Sequence, residues 1–278
     1  MDIIKVENLS FVYPAHKEAL KDINLVIQRG DFVVVSGANG CGKTTFLKCL
    51  NGLLKPTHGK VSFKGQDTLS VKPQELFSKI GYSFQDPNDQ LFAATVRQDV
   101  AFGPKNLELS PDEVERRVDE ALALLNIQPI QAKFIHDLSH GSKQRVALAG
   151  ILAMQPEVLL LDEPTASLDP QTEDEILIFL RKLNQEKGLT IVMATHEMDL
   201  IPEFANRVVI LADGVLVREG NLEEIFGCAE CLQKGRLRLP IVTQLLESLK
   251  QDGVLSYQKL PLTFKEARQL LKEQIKEK

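Results

Sequence analysis

Residues 37–45, GANGCGKTT, have the residue types and spacing of a phosphate-binding loop. Gly37 is followed by four residues and then by Gly42, Lys43 and Thr44, after an apolar run and before a helical one. Glycines let successive backbone N–H groups point at phosphate oxygens, and the helix that follows adds its positive end. We therefore predict a nucleotide site in which Lys43 reaches the β- and γ-phosphates and the hydroxyl of Thr44 holds Mg²⁺. The residues predicted to contact the nucleotide here are Gly37, Ala38, Asn39, Gly40, Cys41, Gly42, Lys43, Thr44 and Thr45.

A second candidate site lies where the apolar run Val158–Asp162 ends in two carboxylates, Asp162 and Glu163. Asp162 suits the coordination shell of magnesium, and Glu163 suits the activation of an attacking water molecule. Taken alone, this run fits a strand that ends in solvent equally well. Because it follows the phosphate loop by about 120 residues, we favour the catalytic interpretation.

Short β-rich runs alternate with helical stretches as far as about residue 220, which is typical of an α/β domain with a largely parallel sheet. The first 30 residues have the pattern of antiparallel strands instead. The predicted parallel strands are Phe32–Ser36, 80–84, Val158–Asp162, Thr190–Ala194 and 208–211. The predicted helices are 43–53, 111–125, 141–154 and 170–186, and two of them begin at proline, a favoured residue of the first helical turn.

Residues 95–140 interrupt this alternation with almost purely helical sequence, which predicts a helical insertion in the α/β core. After Gly220 the chain changes to short, charged helical pieces. We therefore expect a first domain of residues 1–225, with a helical subdomain at about 95–155, and a small C-terminal extension of residues 226–278. Since the sequence contains only one phosphate loop, an assembly with two nucleotide sites needs two chains.

Charge and hydropathy exclude several classes of function. The net charge is −5 with acidic and basic residues interspersed, so the chain lacks the basic field that binds nucleic acid. The N-terminus lacks the basic start and apolar core of a secretory signal, and no run reaches the roughly 18–20 apolar residues that cross a bilayer. We therefore expect an intracellular protein with no nucleic acid partner, whose membrane role depends on partner proteins.

The four cysteines are not expected to take part in catalysis. Cys41 lies in the phosphate loop near a predicted helix N-terminus, where a thiol can be acidified, so we expect sensitivity to alkylation. Cys228 and Cys231 form the only C-x-x-C pair, and no second pair or neighbouring histidines complete a zinc site. We expect these two to be incidental reduced thiols.

The order of further motifs along the predicted first domain resembles that of the ABC transporter ATPases. Tyr13, in FVYP, resembles the aromatic residue that stacks on adenine, and Gln85 resembles the glutamine that joins the metal site to the helical insertion. Residues 138–142, LSHGS, resemble the signature motif, and residues 167–169 resemble the loop between two partners. His196 resembles the switch histidine that contacts the γ-phosphate. Singly, Tyr13 also fits a packed strand aromatic, Gln85 a surface amide and His196 a residue at a helix start.

This resemblance implies a fold, a reaction and a set of site residues. The fold is an ABC-type α/β phosphate-loop domain with an antiparallel β subdomain, a helical insertion and a small C-terminal helical extension. The reaction is hydrolysis of ATP with Mg²⁺ in a head-to-tail dimer, formed with a second copy or a close paralogue, so that each ATP lies between one chain's phosphate loop and the other's signature. The implied roles are catalysis by Lys43, Gln85, Glu163 and His196, ATP contacts by Tyr13, Ser139 and Gly141, magnesium binding by Thr44, Gln85 and Asp162, and a loop between the chains formed by Ser167, Leu168 and Asp169.

The signature departs from the family's usual LSGGQ at His140 and Ser142. A side chain at a position that needs a left-handed backbone costs about 1–2 kcal/mol, so we infer that position 140 does not need one. Ser139 keeps the hydroxyl of the motif and Gly141 keeps the backbone that allows close approach, so we expect hydrolysis to survive.

His136 and His140 have a spacing that on one helix could hold a metal ion. However, Ser139 has the features of an N-cap, which would separate the two histidines.

Two segments are similar to the ATPases of energy-coupling-factor importers: residues 83–92, SFQDPNDQLF, continuing through TVRQDVAFGP, and FVYP near the start. LRLP at residues 237–240 and the later LPLTFKEARQLL are most similar to the cobalt and nickel branch, although the same subfamily also drives vitamin uptake. A soluble ABC protein that uses the ATP dimer as a clamp, without transport, is the alternative from another class.

The similarity to importers implies two membrane partners, an integral membrane coupling subunit and a substrate-binding membrane subunit. The chain would then lie peripherally on the cytoplasmic face of the cell membrane, where the helical insertion receives a coupling helix. The predicted contacts are carboxylates that meet arginines and apolar residues beside them; they are Asp86, Asp89, Gln90, Leu91 and Phe92. Alternatively, the acidic residues are simply loop carboxylates.

Overall fold

A computed structural model describes residues 1–14 and 16–276, which form two sheets and the helices around them. The strands are β1 (Asp2–Val12), β2 (Glu18–Gln28), β3 (Phe32–Ser36), β4 (His58–Phe63), β5 (Gln66–Asp67), β6 (Ile80–Ser83), β7 (Val158–Asp162), β8 (Thr190–Ala194), β9 (Arg207–Ala212) and β10 (Val215–Gly220). The helices are α1 (Lys43–Leu50), α2 (Pro73–Lys79), α3 (Val96–Lys105), α4 (Pro111–Leu124), α5 (His140–Leu152), α6 (Pro170–Lys187), α7 (Ile201–Phe204), α8 (Leu222–Phe226), α9 (Ala229–Lys234), α10 (Ile241–Gln251) and α11 (Phe264–Lys276).

The central sheet has the strand order β10-β9-β3-β8-β7-β6 and is parallel except for the β9–β10 hairpin. Strands β3, β7 and β8 are buried at every residue, which explains why their sequences are continuous apolar runs rather than alternating ones. The predicted bounds of these three strands are correct. The α/β class is confirmed, and the carboxyl ends of β3, β6, β7 and β8 come together at one edge.

The second sheet is antiparallel, with the order β2-β1-β4-β5, as predicted for the first 30 residues. Its apolar face and one face of the central sheet enclose a shared core that includes Phe46, Leu47 and Leu50 of α1. The predicted helix 43–53 ends earlier, at Leu50, because Gly52 has a φ of 79° that a helix cannot continue through. The core therefore holds α1 between the two sheets.

Helices α3, α4 and α5 pack together beside the β6 edge, where the sequence predicts a helical insertion. Each begins at a hydroxyl N-cap: Thr95, with a capping box, Ser110 and Ser139. Ser139 caps α5 as predicted, so the helix starts at His140, one residue before the predicted position. His136 lies outside α5 in a separate 3₁₀ turn, and the described residues contain no group of three or more acidic, His or Cys side chains that could hold a metal.

The C-terminal helices are attached to the main core. Ile225, Phe226, Leu232 and Leu262 belong to the same apolar cluster as the helical insertion and the central sheet. The predicted boundary between residues 225 and 226 falls inside α8. In the part of the chain that the structure describes, no helix has the length and apolar character needed to cross a membrane.

The expectation of two reduced thiols at Cys228 and Cys231 is wrong, because the structure joins them by a disulfide. Cys228 is the N-cap residue of α9, and its Sγ accepts the backbone N–H of Cys231 at 3.3 Å. This first turn brings the two Cα atoms to 5.3 Å, within the range that a disulfide spans. The sequence spacing alone does not reveal that helical turn.

The phosphate loop begins directly after β3, and its first residue, Gly37, is closely packed. A Cβ atom at Gly37 would lie 2.1 Å from the carbonyl oxygen of Leu211 on β9, whereas a Cβ at Gly65 would meet no atom within 4 Å. Gly65 has a φ of +81°, so a side chain there carries only a conformational cost. Gly37 has a positive φ as well, of +154°, so Gly65 serves as the control for the conformational cost of a side chain at a positive φ.

We expect Gly65→Ala to lower the free energy of unfolding by about 1–2 kcal/mol, the cost of a side chain in a left-handed backbone. Gly37→Ala should lower it by about 1–3 kcal/mol more, because β9 must move to admit the methyl group. Urea unfolding without nucleotide measures both. Equal losses in the two variants would contradict the close approach of the loop to Leu211.

Candidate active site

The phosphate loop joins β3 to α1 and folds around the side chain of Lys43. Gly37, Gly40 and Gly42 have positive φ angles, and Gly42 is the N-cap residue of α1. The Nζ of Lys43 donates hydrogen bonds to the carbonyl oxygens of Gly37 at 2.9 Å and Ala38 at 3.4 Å. Its side chain is only 5% exposed, so the ammonium group is held inside the loop. This places a fixed positive charge where the sequence predicts phosphate.

Two features of the loop differ from expectation. The backbone N–H of Ala38 donates to the carbonyl oxygen of Gly235, just after α9, at 3.2 Å, so this amide is directed to the C-terminal segment. Cys41 is buried, and burial raises the pKa of its thiol more than the nearby Lys43 charge lowers it. The predicted acidification of Cys41 is therefore wrong, because its removal from water outweighs its position near the start of α1.

Asp162, the last residue of β7, is held by two hydroxyl groups. The Oγ1 of Thr44 donates to Oδ1 at 3.1 Å, and the hydroxyl of Tyr82 donates to Oδ2 at 3.0 Å. Burial raises the pKa of Asp162, and these two hydrogen bonds oppose that rise. Burial also raises the pKa of Tyr82, so its hydroxyl keeps its proton. The carboxylate is thus satisfied on both oxygens although it is only 3% exposed.

Glu163 follows Asp162 but has a separate set of partners. Its Oε1 lies 3.7 Å from the Nζ of Lys43 and 3.2 Å from the Nδ1 of His196, and its Oε2 lies 3.4 Å from the Nε2 of Gln85. Its backbone has a φ of 47°, which turns the chain away from the strand direction directly after β7. The structure therefore brings the four predicted catalytic residues together. They come from the carboxyl ends of strands β3, β6, β7 and β8, the edge where open parallel sheets bind ligands.

The residues around Thr44 and Asp162 fit a magnesium ion. A hydroxyl and a buried carboxylate lie 3.1 Å apart, and oxygen atoms are the ligands that Mg²⁺ prefers. Gln85, also predicted as a metal ligand, contacts Glu163 instead. It is exposed, which leaves its amide free to change partners.

Tyr13 lies beside the loop, half buried. Its hydroxyl is 3.1 Å from the Oγ1 of Thr45, and its ring packs edge-on against Phe11 with centroids 4.8 Å apart. The structure thus places the predicted adenine-stacking residue next to the phosphate loop. Its packing against Phe11 also agrees with the alternative interpretation, in which Tyr13 is a packed strand aromatic.

The signature residues Ser139 and Gly141 are engaged by contacts within their own chain. Ser139 accepts the N–H of Ser142 at 3.3 Å, and no side-chain hydrogen bond of the described residues joins it to the phosphate loop. His140 has helical backbone without a positive φ, as predicted. A Cβ at Gly141 would lie 2.9 Å from the Cγ2 of Thr172 on α6, so the close approach within this chain is to that helix.

The loop predicted to cross between two chains is partly engaged within its own chain. Asp169 caps α6 through the N–H of Thr172 at 3.0 Å, and Leu168 packs against the main core. Ser167 has a φ of 65°, which turns the loop outward before the cap. Among the described residues, the side chain of Ser167 has no hydrogen-bond partner, and it is exposed.

A cavity of about 510 Å³ lies between the helical insertion and the β6 edge. Phe92 and Phe102 stand at it, 65% and 50% exposed, with ring centroids 4.6 Å apart. Of the predicted partner contacts, Gln90 and Phe92 line this cavity. Asp86 and Asp89 lie outside its lining, and Leu91 packs inward against the core.

The sequence analysis missed Tyr82 and several residues of the cavity wall. Tyr82 pairs with Leu160 of β7, and Asp162 is two residues further along β7, on the same face. Strand register is thus the signal that would have found it. The cavity residues that were missed include Phe77 on α2, Phe102 on α3 and Met154, two residues after the end of α5.

The chain is similar to several known proteins. A model of the ABC transporter family matches residues 20–166, and a model of an AAA domain matches residues 134–201. Energy-coupling factor transporter ATP-binding protein EcfA of Methanocaldococcus jannaschii is 46% identical over 257 residues, covering 91% of this chain and 92% of that protein.

Two solved structures are also similar. CbiO1 of Clostridium perfringens, described as part of the ABC transporter complex cbiONQ, is 42% identical with a TM-score of 0.76, covering 88% of this chain and 99% of that one. The dimeric ATP-binding cassette MJ0796, in a post-hydrolysis state with ADP and phosphate, is 33% identical with a TM-score of 0.71, covering 79% and 99%. The family match spans more than half of the 278 residues, and the identities hold over most of the chain. The chain therefore belongs to the ATP-binding subunits of ABC transporters, of the energy-coupling-factor type.

Proposed function

We propose that this chain is the ATP-hydrolysing subunit of an energy-coupling-factor importer for cobalt or nickel ions. The observation that carries the hydrolysis is the pair of adjacent carboxylates after β7, each with its own partners. Importer membership is supported by the 46% identity to EcfA, and the metal substrate by the 42% identity to the cbiO1 structure and by LRLP at residues 237–240.

In the proposed mechanism Asp162 binds magnesium and Glu163 acts as the general base. Thr44 and Asp162 would hold Mg²⁺, with Gln85 as a third candidate oxygen ligand, and the ion would supply positive charge that offsets the charge of the β- and γ-phosphates. Lys43 contacts the same phosphates from inside the loop. Glu163 takes the proton of the attacking water, and His196, which is exposed beside it, contacts the γ-phosphate.

A second chain completes the site. Ser139 and Gly141 stand at the start of α5, whose N-terminal end is suited to phosphate oxygens, but within one chain they do not reach the loop through side-chain hydrogen bonds of the described residues. In a head-to-tail pair, each ATP lies between one phosphate loop and the partner's signature, with Ser167, Leu168 and Asp169 at the crossing. The partner is a second copy of this chain or a close paralogue.

Glu163→Gln should lower ATP hydrolysis by about 10²- to 10⁴-fold, the usual contribution of a positioned general base. ATP should still bind, because Lys43 loses a competing carboxylate when Glu163 is neutral. The variant should accumulate as a closed dimer with ATP. Phosphate release, nucleotide binding and size-exclusion chromatography measure the three effects.

Glu186→Gln is the matched control, since Glu186 is exposed near the end of α6. It should leave hydrolysis unchanged. Normal turnover by Glu163→Gln would remove Glu163 from its role.

Mixing two inactive variants tests the shared site. Homodimers of Lys43→Ala and of Ser139→Ala each carry a defect in both sites. A mixed dimer instead joins the intact loop of one variant to the intact signature of the other. An equal mixture should therefore recover about a quarter of the parental activity, since half the dimers are mixed and each has one intact site. Absence of recovery would exclude a homodimer and point to a paralogous partner.

The cavity beside the helical insertion is the proposed site for the membrane partner's coupling helix. Phe92 and Phe102 offer exposed apolar rings, and the carboxylates of Asp86 and Asp89 lie outside the cavity, where they can meet cationic residues. Hydrogen bonds to the backbone N–H and side-chain amide of Asn88 lower the pKa of Asp86, so it is ionised at neutral pH. Gln90 donates to the carbonyl oxygen of Ala147 and so positions the loop on α5.

Replacing Phe92 and Phe102 by Ala should weaken copurification with the membrane coupling subunit while ATP binding by the isolated chain is unchanged. The loss follows from removing two exposed aromatic rings that line the cavity. Phe134→Ala is the matched control, because Phe134 is 51% exposed but lies outside the cavity lining. Equal copurification of the double variant and the control would reject the cavity as the docking site.

The transported substrate is tested in the complete complex. Proteoliposomes that contain this chain, the coupling subunit and the substrate-binding subunit should take up cobalt or nickel only with ATP, and Glu163→Gln should abolish uptake. Uptake of a vitamin instead would replace the metal assignment. A chain that hydrolyses ATP but copurifies with no membrane subunit would favour the soluble clamp, and would overturn the peripheral location on the cytoplasmic membrane face.

A further inference from the structure

The hydroxyl of Tyr82 touches the one carboxylate in the site that must face a metal ion. We propose that Tyr82 is a positioning residue for ATP hydrolysis, which fixes the rotation of the Asp162 carboxylate so that the oxygen beside Thr44 is the one offered to magnesium. The proposal rests on the proposed role of Asp162 as a magnesium ligand. It adds a residue outside the motifs that the sequence analysis identified.

The geometry divides the two oxygens of Asp162 between two elements. Thr44, at the start of α1, donates to Oδ1 at 3.1 Å, and Tyr82, on β6, donates to Oδ2 at 3.0 Å. The side-chain rotation of an aspartate carboxylate is broad and roughly two-fold, so one hydrogen bond leaves it free to turn. Two donors from separate elements remove that freedom.

Strand register explains why Tyr82 reaches Asp162. Parallel pairing of β6 with β7 places Tyr82 opposite Leu160. Asp162 is two residues further along β7, so its side chain is on the same face of the sheet. A tyrosine side chain spans that step, whereas an aliphatic residue at position 82 would fill the same core without a donor. Asp162 is 3% exposed, so solvent is poorly placed to replace the hydroxyl.

The ring of Tyr82 has a separate packing role. It belongs to the core enclosed by the two sheets, packs edge-on against Phe84 with centroids 5.0 Å apart, and lines the cavity beside the helical insertion. A phenylalanine keeps all three of these contacts and removes only the hydroxyl. Tyr82→Phe therefore isolates the hydrogen bond from packing and from the cavity shape.

The experiment uses the isolated chain and a fluorescent ATP analogue. Binding is titrated with saturating Mg²⁺ and with EDTA, and the Mg²⁺ concentration that gives half-maximal hydrolysis is measured. For Tyr82→Phe we expect the half-maximal Mg²⁺ concentration to rise about threefold to tenfold, the usual net effect of one lost hydrogen bond. Nucleotide affinity in EDTA should change less than twofold. The ratio of nucleotide affinity in Mg²⁺ to nucleotide affinity in EDTA should fall by the same factor by which the half-maximal Mg²⁺ concentration rises.

Tyr257→Phe is the matched control. The hydroxyl of Tyr257 also donates to a carboxylate, Glu247 at 2.5 Å, but both residues lie in the C-terminal segment. The same atom is removed there, and neither the Mg²⁺ requirement nor nucleotide affinity should change. An equal shift in both variants would overturn the proposal.

Three other results would also overturn it. An unchanged Mg²⁺ requirement in Tyr82→Phe would show that Thr44 alone orients the carboxylate. An equal loss of affinity in Mg²⁺ and in EDTA would show a merely structural role, because the ratio of the two affinities cancels partial unfolding. An unchanged Mg²⁺ requirement in Asp162→Asn would reject the magnesium role of Asp162 itself, whereas a shift in that variant without one in Tyr82→Phe rejects Tyr82 alone.

Discussion

Two carboxylates at the end of β7 are removed from water, and the surrounding structure compensates for their burial. An ionised carboxylate in a protein interior is strongly unfavourable unless hydrogen bonds or opposite charges replace its hydration. Asp162 is satisfied by neutral hydroxyl donors, and Glu163 by an ammonium group, an imidazole and an amide. Different partners give neighbouring residues of the same chemical class different functions: one is suited to hold a cation, the other to accept a proton.

This arrangement depends on the order of strands in the central sheet. Because β7 lies between β8 and β6, and β8 lies beside β3, the chain segments that leave these strands meet at one edge. His196 follows β8, Gln85 follows β6 and the phosphate loop follows β3. No two of these segments are close in sequence, so parallel pairing with its crossovers is what assembles the site. The antiparallel sheet and α1 then hold the loop from the other side.

Sequence reasoning predicted the parts of the site whose chemistry is local. The phosphate loop, the strand that ends in Asp162 and the cap at Ser139 each follow from a short pattern with a direct physical meaning. It missed contacts set by register and packing between distant segments. Tyr82 depends on its pairing with β7, the cavity wall on three helices, and the contact of Ala38 with Gly235 on the path of the C-terminal segment.

One error has a clear physical cause. Cys41 was expected to be acidified because of its place near a helix start. Its side chain is buried instead, and burial raises the pKa of the thiol. A one-dimensional pattern identifies residue types and spacing, but it does not give the direction of each side chain in an irregular loop.

The contacts of Lys43 indicate how nucleotide binding and catalysis are linked in one chain. Its ammonium group is shared between two loop carbonyl oxygens and Glu163 at 3.7 Å. The phosphate oxygens of ATP carry more charge than a single carboxylate and approach the same group, so they compete with Glu163 for it. The other partners of Glu163 are Gln85, at 3.4 Å, and His196, at 3.2 Å. Lys43 thus connects the phosphate loop directly to the residue proposed as the general base.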